Sequence, residues 1–358
     1  MPSNSLRLSV QLGVTQTIGY ASSYYLPAIL AAPMASELGI RFEFIFLYVA
    51  SASILAGFLG PFVGKLIDQY GGRLVLPAGS VGFALGLLLM ANATGPASFL
   101  AAWIVMGIGT AMALYDAAFA TAVEVLGKSA RRTIASITLI AGFASTIGWP
   151  ITAAIEQADS WRTALIFWSL INLFVCLPLH LFLPGYSRET RRSRRQQRLE
   201  LDTGSIQKVS KFALLLTALL FLIGGSIQVV MGAHLPGILA SISEDSMVGL
   251  LAATLLGPGQ VLARLLQVLF PNHLTPVRVA WFALLLHPVG AAALFLGGTP
   301  MLFVFSFLHG MGSGFLTVAA GVLPLYLFGA KNYGQRQGII MAASDIFLGF
   351  APFLFGFL

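Results

Sequence analysis

The chain has 358 residues, 57% of them hydrophobic and only 9% charged, with 20 lysines and arginines, 13 acidic residues and a net charge of +7. A water-soluble domain needs about 25% charged residues to cover its surface, so this composition, with a mean hydropathy of +0.87, excludes a soluble globular protein. The apolar runs lack the period-2 alternation of a β-barrel, and Cys176 stands alone, so no disulfide framework exists.

A bilayer core of about 30 Å takes about 20 helical residues. In chain order, eleven predicted spans centre near Tyr20, Ala56, Leu85, Met112, Ala144, Leu173, Ile223, Leu256, Leu286, Phe315 and Leu348. The first follows Arg7 and ends near Ala32-Pro33-Met34-Ala35, which faintly resembles a signal peptide. It is too long for one and further spans follow, so it counts as a helix. The last run meets the C-terminus with no polar tail, and an even number would be usual. A twelfth span is therefore expected to be missing.

The loops between these spans set the orientation. With the N-terminus inside, seventeen of the 20 basic residues fall in inner loops, including Lys65, Arg73, Lys128, Arg131, Arg132, Arg278, Lys331 and Arg336. Only Arg41 and Arg162 fall outside, whereas Glu37, Glu43, Glu156, Asp159, Glu244 and Asp245 all do. This asymmetry predicts a cytoplasmic N-terminus. The run Arg191-Arg192-Ser193-Arg194-Arg195 carries no interleaved aromatics, so it reads as a topological and lipid-headgroup signal, and no nucleic-acid partner is expected.

The only long polar stretch, from Tyr186 to Ser210, divides six spans from five. It predicts an N-terminal six-helix bundle over 1–186, a basic cytoplasmic linker over 187–210 and a C-terminal five-helix bundle over 211–358. The halves echo each other. Leu26-Pro27-Ala28-Ile29-Leu30-Ala31 returns as Leu235-Pro236-Gly237-Ile238-Leu239-Ala240, and Gly107-Ile108-Gly109 as Gly310-Met311-Gly312. Lys128 and Lys331 trail the second pair at the same offset. Parallel repeats with a site between them are one known transporter design.

The loop after the second span reads Gly64-Lys65-Leu66-Ile67-Asp68-Gln69-Tyr70-Gly71-Gly72-Arg73. It resembles the signature that joins spans two and three of major facilitators. That resemblance implies an all-α polytopic membrane protein with two pseudo-symmetric six-helix halves, the second seemingly lacking its last helix. It also implies a conformational latch formed by Gly64, Asp68, Gly71 and Arg73, with the Asp68 carboxylate on the N-terminal end of span eleven. Helix N-termini attract carboxylates, which gives such a contact a physical basis. Gln69 stands where the family commonly has arginine.

An ionisable side chain at mid-depth costs ~2.5–3.5 kcal/mol on insertion scales. Asp116, Asp345 and Arg264 are such groups. Gln260 and Arg264 are spaced i and i+4 on one helix face, with Gly257 and Pro258 a turn earlier. The segment Gln260-Val261-Leu262-Ala263-Arg264 resembles span eight of monocarboxylate-type facilitators, where the arginine binds the substrate carboxylate. Gln260 replaces an aspartate frequent in that branch. The alternative is an Arg264–Asp345 ion pair that merely holds helices together. Asp116 and Asp345 are the candidate proton carriers, because burial raises the pKa of a carboxyl.

Further candidate substrate contacts are Tyr20, Tyr24, Tyr115, Asp116, Gln228 and His309, beside Gln16, Tyr25 and His234; for all of these but Tyr115 and Asp116 a packing role is the commoner one, and His287 reads as structural. No phosphate-binding loop, serine elbow or metal cluster is present in the sequence, so an enzyme is not expected, nor any metal or cofactor. The reading is a monomeric secondary transporter in a plasma (bacterial inner) membrane, moving a small organic anion with a proton or counter-ion. Efflux of a drug-like amphipathic compound is the alternative, and a transport-inactive sensor or scaffold the alternative of another class.

Overall fold

The computed structural model describes residues 3–184 and 210–355. The basic linker, Ser210 apart, lies outside the described residues, with its arginine cluster, as does the side chain of His234. The described residues form helices that group into eleven crossing segments, each containing one of the expected centres. Span one is α1 (Ser3–Ala21) with α2 (Pro27–Leu38), span two is α3 (Phe42–Tyr70) and span three is α4 (Gly72–Ala91). Span four is α5 (Pro96–Ala113) with α6 (Tyr115–Leu126), and span five is α7 (Arg131–Ala141) with α8 (Ala144–Ala158). Span six is α9 (Trp161–Ile171), continued through one wide turn into α10 (Leu177–Leu181). Span seven is α11 (Lys211–Ile242), and span eight is α12 (Ser246–Ala253) with α13 (Leu256–Leu269). Spans nine, ten and eleven are α14 (Pro276–Leu294), α15 (Thr299–Phe328) and α16 (Tyr333–Phe355). Eight helical stretches are long and apolar enough to cross a bilayer, and one of them, the 63-residue Pro96–Ala158, is long enough to cross twice.

Four spans are broken near their middles, each for a local reason. In span one the chain turns at Ser22–Leu26, and Pro27 restarts the helix at its first position, where the missing N–H is not needed. Span four breaks at Leu114, whose backbone is extended (ψ −167°). That break strips the Ala113 carbonyl of its helical partner, and the fully buried Gln16 amide replaces it at 2.7 Å. Span five breaks at Gly142–Phe143. Span eight breaks at Thr254–Leu255, just ahead of Pro258. Irregular backbone at membrane depth persists where it is buried in protein or lines a cavity.

Call the two ends of the bundle by Asp68 and by Glu37. At the Glu37 end, α2 is tied to span six. Arg162 Nη2 pairs with Glu37 at 2.8 Å, Trp161 Nε1 donates to the same carboxylate at 2.5 Å, and Arg162 also donates to the Ala91 and Ala93 carbonyls that close span three. These ties stay within the first half.

The two halves meet in a different place. One apolar core mixes them: Ala118, Phe119, Val123 and Ile134 of spans four and five pack with Val318, Val322, Leu325 and Tyr333 of spans ten and eleven. It lies toward the Asp68 end. The cores near the Glu37 end are separate, one built by Leu30, Met34, Trp103 and Trp161, the other by Leu235, Leu239, Leu302 and Phe305. In keeping with this, α7 packs closely on α13, whereas α8 and α12 have no comparable packing. The halves therefore close over the Asp68 end and part toward the Glu37 end. Spans two and eleven are the exception and stay together from Ala50 and Ser53, which meet Gly349, to Gly64.

Candidate functional site

The loop signature folds as a cap. Span two ends at Gly71, whose φ of +79° suits glycine and lets the chain reverse directly into span three. The reversal leaves the Asp68 carboxylate beside the start of span eleven, where it accepts hydrogen bonds from Gly334 N at 3.0 Å and Gln335 N at 2.9 Å. Both amides belong to a helix's first turn and have no carbonyl partner of their own. The approach requires glycine on both sides. A Cβ on Gly64 would collide with the Gly334 carbonyl, and one on Gly338 with the backbone of Gly60. Gly60 and Gly64 face Gly334 and Gly338 in the four-residue spacing that brings membrane helices close. Arg73 is exposed and makes no hydrogen bond with the described residues.

One turn further along span eleven, the wholly buried Gln337 donates from Nε2 to Asp116 Oδ1 at 3.0 Å. Asp116 is the second residue of α6, so the break at Leu114 places its carboxylate at a helix N-terminus. Two aspartates of the first half thus hold the opening turns of one helix of the second. Sequence reasoning missed Gln337. Its only signal was a glutamine inside an apolar span four residues after Tyr333.

Beside this contact polar and aromatic side chains gather. Asp345 packs on Gly57 of span two, Tyr20 lies within electrostatic reach of Tyr115, Asp116 and Asp345, and Asp345 within reach of Asp116. Tyr20 and Tyr115 rings lie 4.6 Å apart, and Tyr115 stacks on Phe119 at 5.0 Å. Tyr24 meets Tyr20 at 6.3 Å and Tyr25 at 5.1 Å, and Tyr25 meets Trp149 at 5.7 Å.

Arg264 meets this cluster from the second half. It is 6% exposed, and its guanidinium lies against the span-five break, where a Cβ on Gly142 would collide with Nη1. Nη2 donates weakly to Gln260 Oε1 at 3.3 Å, and Nε is buried without an acceptor. Its charge reaches both Tyr25 and Tyr115. Arg264 and Asp345 form no ion pair, so the helix-holding alternative raised from the sequence is not what the structure contains. Asp345 lies instead on the span-two side, against Gly57.

The structure thus brings together Arg264, Gln260, Tyr20, Tyr24, Tyr115, Asp116 and Asp345. It does not bring His309 to them. His309 is buried, and its Nδ1 lies 2.8 Å from His287 Nδ1, between spans nine and ten and beside Phe305. Gln228 is partly buried on span seven and makes no hydrogen bond with the described residues. Gln16 serves the span-four break. Among the described residues no cluster of three or more histidine, cysteine or acidic side chains could hold a metal.

Known proteins share this architecture. The structure of the human organic anion transporter MFSD10 (TETRAN) matches with a TM-score of 0.67 at 15% identity, over 99% of this chain and 93% of that one. The E. coli fucose:proton symporter FucP matches with a TM-score of 0.67 at 15% identity, over 98% and 96%. The proton:xylose symporter XylE, bound to 6-bromo-6-deoxy-D-glucose, matches with a TM-score of 0.64 at 14% identity, over 99% and 89%. At such identities the likeness is one of fold. No curated protein matches the sequence significantly. The family model of the Major Facilitator Superfamily matches residues 12–273, most of the chain. With the apolar crossing helices and the halves already described, this makes the chain a membrane transport protein belonging to the Major Facilitator Superfamily.

Proposed function

We propose that this transporter moves a small organic anion, a carboxylate, by alternating access, with Arg264 as the substrate's counter-charge and Asp116 and Asp345 as the groups that carry or sense a coupled proton. The observation that carries the reading is the buried, half-satisfied Arg264 guanidinium, which has no acidic partner among the described residues. An unpaired buried charge is strongly unfavourable, so a group that supplies the missing anion gains affinity from the start. A guanidinium also presents donors in a fork that matches a carboxylate. Asp68, with Gly64 and Gly71, acts as the latch of the state closed at its own end. We further place that end and the N-terminus in the cytoplasm of a plasma membrane, as the basic loops demand.

Binding and counterflow in proteoliposomes test the proposal. Arg264→Lys keeps the charge without the planar fork and should weaken carboxylate binding by roughly 10-fold, whereas Arg264→Gln should abolish it. Because no Arg264–Asp345 ion pair exists, adding Asp345→Asn to Arg264→Gln should rescue nothing. Rescue by the double variant would remove the substrate role of Arg264. A second reading, efflux of an uncharged amphipathic compound, is favoured by the aromatic wall of Tyr20, Tyr24 and Tyr25. It requires transport that persists in Arg264→Gln.

A further inference from the structure

The side chains opposite Arg264 carry chemical information that an anion site alone does not need. Phe119, Tyr115, Tyr20, Tyr24, Tyr25 and Trp149 form one continuous chain of ring contacts between 4.6 and 6.3 Å, running through spans one, four and five. Along the Tyr24–Tyr25–Trp149 stretch the rings meet edge-on, at 88° in both contacts. Edge-on pairs leave ring faces and edges free for a further flat ring, which prefers the same offset or edge-to-face geometry. Tyr24 keeps 56% of its surface exposed although it belongs to this chain of contacts. The hydroxyls of Tyr20, Tyr24, Tyr25 and Tyr115 make no hydrogen bond to the described residues. Nor are those of Tyr20, Tyr25 and Tyr115 sealed off as buried unsatisfied atoms.

A phenol presents an apolar ring with a polar tip that both donates and accepts. Four such hydroxyls without a partner among the described residues, beside a buried and half-satisfied guanidinium, form a surface able to complete its contacts with a ligand. A short aliphatic acid would satisfy Arg264 and leave the tyrosine wall bare. A sugar would meet the wall but bring no charge to Arg264.

We propose that the substrate is an aromatic carboxylate, its carboxyl on Arg264 and its ring against the Tyr20–Tyr24–Tyr25 wall, with ring hydroxyl or carbonyl groups welcome at the free phenols. This deepens, and rests on, the reading of Arg264 as an anion site. The two claims fail separately. The selectivity concerns the ring; the anion reading concerns the charge.

Binding to the purified protein should be compared for benzoate, cyclohexanecarboxylate and benzamide. Benzoate and cyclohexanecarboxylate share charge and approximate size but differ in the π face, whereas benzamide keeps the ring and loses the charge. Two aromatic contacts predict about tenfold tighter binding of benzoate than of cyclohexanecarboxylate, with benzamide at least as far below benzoate. Tyr24→Leu, at an exposed position with no polar contact to lose among the described residues, should weaken benzoate more than cyclohexanecarboxylate and bring the two acids to similar affinity. Tyr25→Leu provides a second, independent variant of the same wall. Equal binding of the two acids by the wild type overturns the aromatic preference and leaves the anion site standing. Benzamide binding as tightly as benzoate overturns the anion reading beneath it. Absence of binding for all three overturns both.

Discussion

At the scale of single residues, the most consequential side chains are those that are not there. Gly64 admits the Gly334 carbonyl against its own backbone, and any Cβ would occupy the same space. Gly64→Ala should therefore push the start of span eleven away from Asp68, at a cost in the range of about 1–3 kcal/mol typical of overpacking. The expected outcome is a lower melting temperature and faster reaction of a cysteine placed at Lys65, measured in a Cys176→Ser background. An unchanged reaction rate would mean that the glycine contact does not hold this end shut. Arg264 was legible from its sequence because arginine inside an apolar run needs an explanation. What it touches was not legible. Its neighbours Gly142, Tyr25 and Tyr115 come from spans five, one and four, and no local spacing encodes those meetings. His309 shows the opposite error. Polar character marked it for the substrate, yet its nearest polar neighbour is another buried histidine, His287, 22 residues earlier in the chain.

At the scale of elements, the first turns of span eleven act as one handle gripped twice. Asp68 caps Gly334 and Gln335 from span two, and Asp116 receives Gln337 from span four. Hydrogen bonds to charged groups contribute about 1.5–3 kcal/mol each. Asp68→Asn and Gln337→Leu should both shift the protein away from the state closed at this end, without loss of insertion. Since both contacts act on one helical element, a double-mutant cycle should show a coupling of roughly 0.5–3 kcal/mol. Strict additivity, read from the opening equilibrium of labelled protein, would separate the two contacts and return Gln337 to a packing role. The broken spans were partly legible. Pro27 and Pro258 announce the interruptions of spans one and eight, but Leu114 carries no such mark. There the interruption is shown by its repair, the Gln16 side chain supplied from span one.

At the scale of the whole molecule, the mixed core lies at the Asp68 end and the Glu37 end has two separate cores. A cysteine at Tyr24 should thus react with a membrane-impermeant thiol reagent added from the Glu37 side, and aromatic carboxylates should slow that reaction. Reaction only from the Asp68 side would invert the assigned opening. Composition was enough to read a membrane protein, since 9% charged residues leave no other solvent for the chain, and apolar runs without period-2 alternation made its spans helical. Which spans touch across the halves required three dimensions. Spans two and eleven meet along a line of small residues, Gly57, Gly60 and Gly64 against Ala342, Gly338 and Gly334. Interlocked side chains would have to climb over one another for the halves to rock; backbone lying on backbone has no such teeth. The line works as a plain bearing. On the proposed alternating-access cycle, the polar contacts at the end of this line, Asp68 on Gly334 and Gln335 and Gln337 on Asp116, are then the ones that time each swing.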